Sequence, residues 1–103
     1  MDINDEFLID SKEVRSKFIE TFRKAKPDVV FCHWTDDYNP DHSISGRIVD
    51  DCIHMSTIPL IKTKSEICTK IPHVYFMDTI AGVNFVPEIY VDTSAVFKTK
   101  SNM

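Results

Sequence analysis

The run 28-DVVFCHW-34 constrains this fold more than any other part of the chain. Its apolar residues are consecutive, not alternate, and rich in β-formers, the pattern of a strand covered on both faces. It is too short for a buried helix, and Pro27 keeps the preceding segment from running into it. A strand of this kind needs helices beside it, and the sequence supplies a candidate on each side. In 10-DSKEVRSKFIETFRKAKP-27, Val14, Phe18, Phe22 and Ala25 recur at helical spacing, with Ile19 widening the stripe. Asp10 followed by Glu13 resembles a capping box, and Lys24 and Lys26 suit the negative end of the helix. In 41-DHSISGRIVDDCIHMS-56 the period returns through Ile44, Ile48, Cys52 and Met55, and Asp41, directly after Pro40, reads as the N-cap. Gly46 inside that pattern costs about 1 kcal/mol relative to alanine, which predicts close packing against the strand.

Residues 57–72 have no period and contain Pro59 and Pro72, so they read as a loop. Strand signals return at 73-HVYFMD-78 and 86-VPEIYVDT-93, and 93–103 reads as a short helix with a Thr93/Ser94 cap. The order helix, strand, helix, strand, strand, helix predicts an α/β sandwich with a mostly parallel sheet, built as at most one domain. Ligands of such sheets sit beyond the carboxyl ends of the strands. Here that place is occupied by 33-HWTDDYNPDH-42.

This loop gathers Asp36, Asp37, Asp41 and His42 into seven residues. His42 is a candidate metal ligand, and a nearby carboxylate, Asp37 or Asp41, would hold its other ring nitrogen. Asp36 is expected to face solvent. The Tyr38 hydroxyl is a candidate donor to a developing oxyanion. His33, Trp34 and Asp37 border the cleft where a substrate would lie, with Trp34 suited to stacking on a sugar ring. The same residues also make ordinary turn and cap chemistry, since Asn and Asp satisfy local backbone groups and Pro fixes φ. The oxygen-rich Asp36, Asp37 and Asp41 would also suit Mg²⁺ in a receiver- or flavodoxin-like domain. His54, His73 and Arg47 read as structural or surface residues.

Composition excludes several classes. The net charge is −4 and the lysines are scattered, which argues against a nucleic-acid module. No apolar run reaches membrane-spanning length, and the acidic MDINDEFLID start lacks the layout of a signal peptide. Cys32, Cys52 and Cys68 are odd in number and far apart, so they read as reduced, mostly buried thiols of a cytoplasmic protein.

The segment PDVVFCHWTDDYNPDHSISGRIVDDC is similar to the centre of the LmbE/PIG-L family of zinc-dependent N-deacetylases, with its "rPDvV" strand, "HPDH" loop and "GRLVxDA" helix. The resemblance continues in 72-PHVYFMDTIAGVNFVPEIYVDTSAVFKTK-100, which looks like that family's "P-x-lYyxD … P-x-x-yVDIs … K" region. It implies a Rossmann-like three-layer fold and hydrolysis of N-acetyl groups on amino-sugar substrates. It also implies that His42 is a zinc ligand and that Asp41 supports the site. Asn39 stands where many members carry a histidine assigned to acid or oxyanion duty; asparagine can donate a hydrogen bond but cannot relay a proton. The family's "HPDD" motif, which supplies two further ligands and the base, does not occur here. The chain therefore reads as a partial domain over 1–103, inactive alone, with an uncovered apolar strand edge that predicts self-association. The alternative is a non-catalytic α/β interaction module that has lost the zinc site.

Overall fold

In the computed structural model, residues 3–103 are described. Helix α1 spans Lys12–Ala25, strand β1 Val29–His33, helix α2 Pro40–Met55 and strand β2 His73–Met77; a single 3₁₀ turn at Ser94–Val96 leads into the short helix α3, Phe97–Ser101. β1 and β2 pair in parallel, with Val29 opposite His73 and His33 opposite Met77. The expected parallel α/β arrangement is thus present, with the C-terminal end of β1 feeding the acidic loop.

Helix α1 contains every residue of the predicted apolar stripe, but its cap differs. Ser11, not Asp10, is the N-cap, its hydroxyl accepting from the Val14 N–H at 3.2 Å. Asp10 is drawn instead to Arg15, whose guanidinium meets both its carboxylate oxygens and also Asp51 at 2.8 Å. The helix ends at Ala25, and Lys26 turns the chain in the left-handed region (φ 46°) just before Pro27.

The cap of α2 also differs, lying two positions earlier than expected. Asn39 is the N-cap, its side-chain oxygen accepting from the N–H of Asp41 (2.9 Å) and His42 (3.2 Å), and Pro40 occupies the first helical position. Proline is favoured there because its missing N–H would have no partner in any case. Gly46 meets the expectation of close packing: a Cβ on it would lie 2.5 Å from the His33 carbonyl oxygen.

The core forms where Val14, Ile19 and Phe22 of α1 meet Ile48, Val49, Cys52 and Ile53 of α2, with Cys32 from β1; Val30, Val74 and Phe76 pack against it. All three cysteines are free and buried, and desolvation pushes the thiols of Cys32 and Cys52 up to about 11. Because α1 and α2 share one core with Val30 and Cys32, they cover the same face of the sheet. The opposite face leaves Phe31 at 64% and Met77 at 44% exposure, with Phe31 stacked on Tyr75 at 5.6 Å. β1 therefore does not have the cover on both faces that its apolar run predicts.

The loop between α2 and β2 is held in part by a residue that periodicity alone does not single out. Arg23, 2% exposed, donates to the carbonyls of Ser56 (2.9 Å), Ile58 (2.8 Å) and Ile61 (2.7 Å), and to the Thr63 hydroxyl (2.9 Å). An arginine four residues after Ile19, on the apolar stripe itself, is the signal that could have pointed to it. The strand expected at 86–93 does not form, and Val86, Ile89, Tyr90 and Val91 are exposed. β-formers need a neighbouring strand to pair with, and among the described residues none lies alongside. At 93–103 no side chain caps the 3₁₀ turn or α3; Asp92 instead accepts from the Ser94 N–H and hydroxyl.

Candidate functional site

At the carboxyl end of β1 the chain makes one turn and enters α2, so that residues 33–42 bracket the helix start. Within this turn His33, Asp37 and His42 each bring a potential ligand atom within 4.8 Å of the others. The arrangement is built from backbone contacts upward. The Asp37 side chain is only 2% exposed, and its Oδ1 accepts from the Asn39 N–H at 3.0 Å. Its Oδ2 faces the Nδ1 of His42 at 3.1 Å. The Asn39 N–H, followed by the His42 contact, holds the Asp37 carboxyl below the ordinary carboxylate range despite desolvation. Of the two carboxylates that sequence offered as partner for His42, the structure selects Asp37. The ionised carboxylate favours the tautomer with the proton on Nδ1, leaving Nε2 of His42 with a free lone pair.

His33 lies against this pair. Its ring is stacked on His42 with centroids 3.8 Å apart and planes 4° from parallel. Desolvation, then the neighbouring His42, lowers its pKa from the ordinary value of 6.5, with Asp37 opposing. The stacking decides what the three residues can hold together. An imidazole binds a metal in its ring plane at about 2.0–2.1 Å. With centroids 3.8 Å apart and planes nearly parallel, an ion midway between the rings would sit well out of both planes, where neither lone pair points. His33 and His42 therefore cannot share one ion in this arrangement. The donor set fits a metal held by Nε2 of His42, oriented by Asp37 and flanked by His33.

The remaining predicted residues are placed as follows. Asp41 points away from His42: its carboxylate accepts from the N–H of Glu6 (2.8 Å) and Leu8 (3.0 Å), pinning the segment before α1 beside the start of α2. Asn39 uses its side-chain oxygen as the helix cap, which leaves its NH₂ as the group able to donate. Tyr38 and Asp36 lie on the loop and both are exposed, Asp36 facing solvent as expected. Trp34 is half-buried, in T-shaped contact with Phe76 and Phe85 at 5.5 and 5.4 Å, and its indole N–H donates to the Asn84 carbonyl at 2.9 Å. It anchors the loop after β2 next to the site. Arg47, expected to be solvated, is exposed but also donates to the Thr35 carbonyl at 3.0 Å, bracing the turn.

The structure superposes on that of the conserved protein TT1542 from Thermus thermophilus with a TM-score of 0.81 and 24% identity, over 93% of this chain and 42% of that one. At that identity the likeness speaks to the fold, and the chain spans less than half of that solved chain. No curated protein matches the sequence. The family model for GlcNAc-PI de-N-acetylase, PIG-L, matches residues 1–53. That span takes in α1, β1, the acidic loop and most of α2; the resemblance read at 72–100 lies beyond it. With its central strand, acidic turn and site-bearing helix start all inside the match, the chain belongs to the PIG-L family.

Proposed function

We propose that this chain carries one wall of the site of a zinc-dependent N-deacetylase, acting in the intact protein on the N-acetyl group of an amino-sugar conjugate. The observation that carries the reading is the buried Asp37 carboxylate 3.1 Å from Nδ1 of His42, an orienting contact that leaves Nε2 free for a metal. His42 is the zinc ligand in this reading and Asp37 its orienting partner. When bound, zinc would polarise the acyl oxygen and lower the pKa of water. Catalytic zinc takes three protein ligands. The further ligands and the base thus come from parts of the intact protein outside this span, and 1–103 is a partial domain. The Asn39 NH₂ and Tyr38 hydroxyl are the candidate donors to an oxyanion, and Asp41 acts through the segment it pins. His33 borders the substrate. Three free, buried thiols suit the cytoplasm.

The test is zinc content after dialysis of the intact protein as wild type, His42→Ala and His33→Phe. Zinc lost in His42→Ala but kept in His33→Phe supports the assignment, because phenylalanine preserves the stacked ring and removes only its nitrogens. Zinc kept in His42→Ala overturns it. Absence of zinc from the intact wild type as well would overturn the zinc reading.

The open sheet face favours a second reading, in which the chain is an interaction module that pairs with a copy of itself through Phe31 and Tyr75. Light scattering at micromolar concentration should then show species larger than a monomer, and a clean monomer rules this reading out.

A further inference from the structure

A cleft of about 910 Å³ lies far from His42. It runs between the outer face of α1 and the loop after α2 and is lined by Lys17, Lys24, Lys62 and Lys64, with Glu20 the single acid. Because α2 runs from the acidic turn at its start to this loop at its end, its sixteen residues separate the two places by about 24 Å.

Two groups fix the loop and remove the obvious counter-charges. Arg23 ties residues 56–63 to α1 from inside. Glu20, which could have neutralised a lysine, accepts instead from the N–H of Lys64 (3.0 Å), the N–H of Ser65 (3.0 Å) and the Ser65 hydroxyl (2.7 Å). Those bonds, led by the Ser65 N–H, hold its carboxyl below the ordinary range. Among the described residues none of the four lysines forms an ion pair. Lys62 has one contact, to the Pro59 carbonyl at 3.1 Å, and keeps other N–H donors free. In a chain of net charge −4, four exposed lysines without ion pairs among the described residues thus border one open cleft, whose loop wall is tied to α1 by Arg23 and Glu20. Such a surface attracts an anion with several oxygens through the summed positive charge.

We propose that this cleft binds a phosphate-bearing anion, at a site separate from the one around His42. The phosphate could belong to a soluble ester or to a lipid headgroup, and the chemistry that recognises it is the same. The test follows the backbone amide NMR signals of the full chain during titration with inorganic pyrophosphate, alongside sedimentation with phosphatidylcholine vesicles with and without phosphatidylserine. Binding should move signals of residues 16–25 and 62–65 and leave those of 98–100 unchanged. Lys17→Ala/Lys24→Ala and Lys62→Ala/Lys64→Ala should each weaken it about tenfold, while Lys98→Ala/Lys100→Ala changes it less than about twofold. Pyrophosphate binding without vesicle capture identifies a soluble ester. Capture by phosphatidylserine vesicles that pyrophosphate competes away identifies a headgroup. The proposal is overturned if neither probe binds, or if the α3 lysine variant loses as much as the cleft variants.

Discussion

Gly46→Ala sets two effects of opposite sign against each other. Alanine in a helix interior is favoured over glycine by roughly 1 kcal/mol, so on an open helix face the substitution would stabilise. At Gly46 the new Cβ would stand 2.5 Å from the His33 carbonyl oxygen and 3.3 Å from the carbonyl carbons of His33 and Trp34. The first contact is about 0.7 Å closer than a carbon and an oxygen normally approach. All three neighbours are backbone atoms, so no side chain can rotate aside. The helix must withdraw from the end of β1. Overpacking of this kind costs roughly 1–3 kcal/mol, and with only backbone to yield the upper half of that range applies. After the propensity gain, the expected net loss is about 1–2 kcal/mol. Urea denaturation followed by circular dichroism measures it, with an unchanged slope required for the comparison to hold. Asp50→Ala, an exposed position on the same helix, is the control and should lose no stability. A Gly46→Ala protein as stable as the wild type or more so would refute the close-approach argument. It would also remove the reason for thinking that Gly46 lets α2 set the position of His33.

Two further outcomes follow from the loop contacts. Arg23→Met should cost about 3–5 kcal/mol, since it leaves three carbonyls and a hydroxyl without their donor in a largely buried place, each unsatisfied group costing about 1–3 kcal/mol, and thermal melting should fall by tens of degrees. Arg23→Lys should recover little of that, because an ammonium cannot reach four acceptors as the planar fork does. Glu20 has a lowered pKa in the fold, so its contribution is fully present above its ordinary value of 4.5 and is lost as pH falls through the lower folded value. Glu20→Gln should therefore flatten the acid side of the stability profile below about pH 5, measured as urea midpoints at successive pH values.

Most of what positions the site was legible in the sequence, and the failures share a cause. The strand at 28–34, the helix after it and the glycine between them were readable because each depends on short-range pattern. The caps were misread by one or two positions where neighbouring residues compete for one role. Ser11 prevails because Arg15 takes Asp10, and Asn39 prevails because Pro40 already sits at the first helical position. The proline was the decisive clue and was available in the sequence. The choice of Asp37 over Asp41 as partner of His42 was not, since it depends on where Glu6 and Leu8 come to rest, far away along the chain. The strand at 86–93 failed for the complementary reason: its residues favour a sheet, but sheet formation needs a partner that pattern cannot supply.

The Arg23 clasp also bears on how the chain assembles during synthesis. Arg23 emerges with α1, before every one of its acceptors, and its partners at residues 56–63 follow only after β1 and α2 are made. Until then its guanidinium keeps one end of the growing core hydrated. β2 begins ten residues after Thr63, and its pairing with β1 closes a long loop across the fold. With residues 56–63 tied to α1, only residues 64–72 remain to be spanned before β2 can pair with β1.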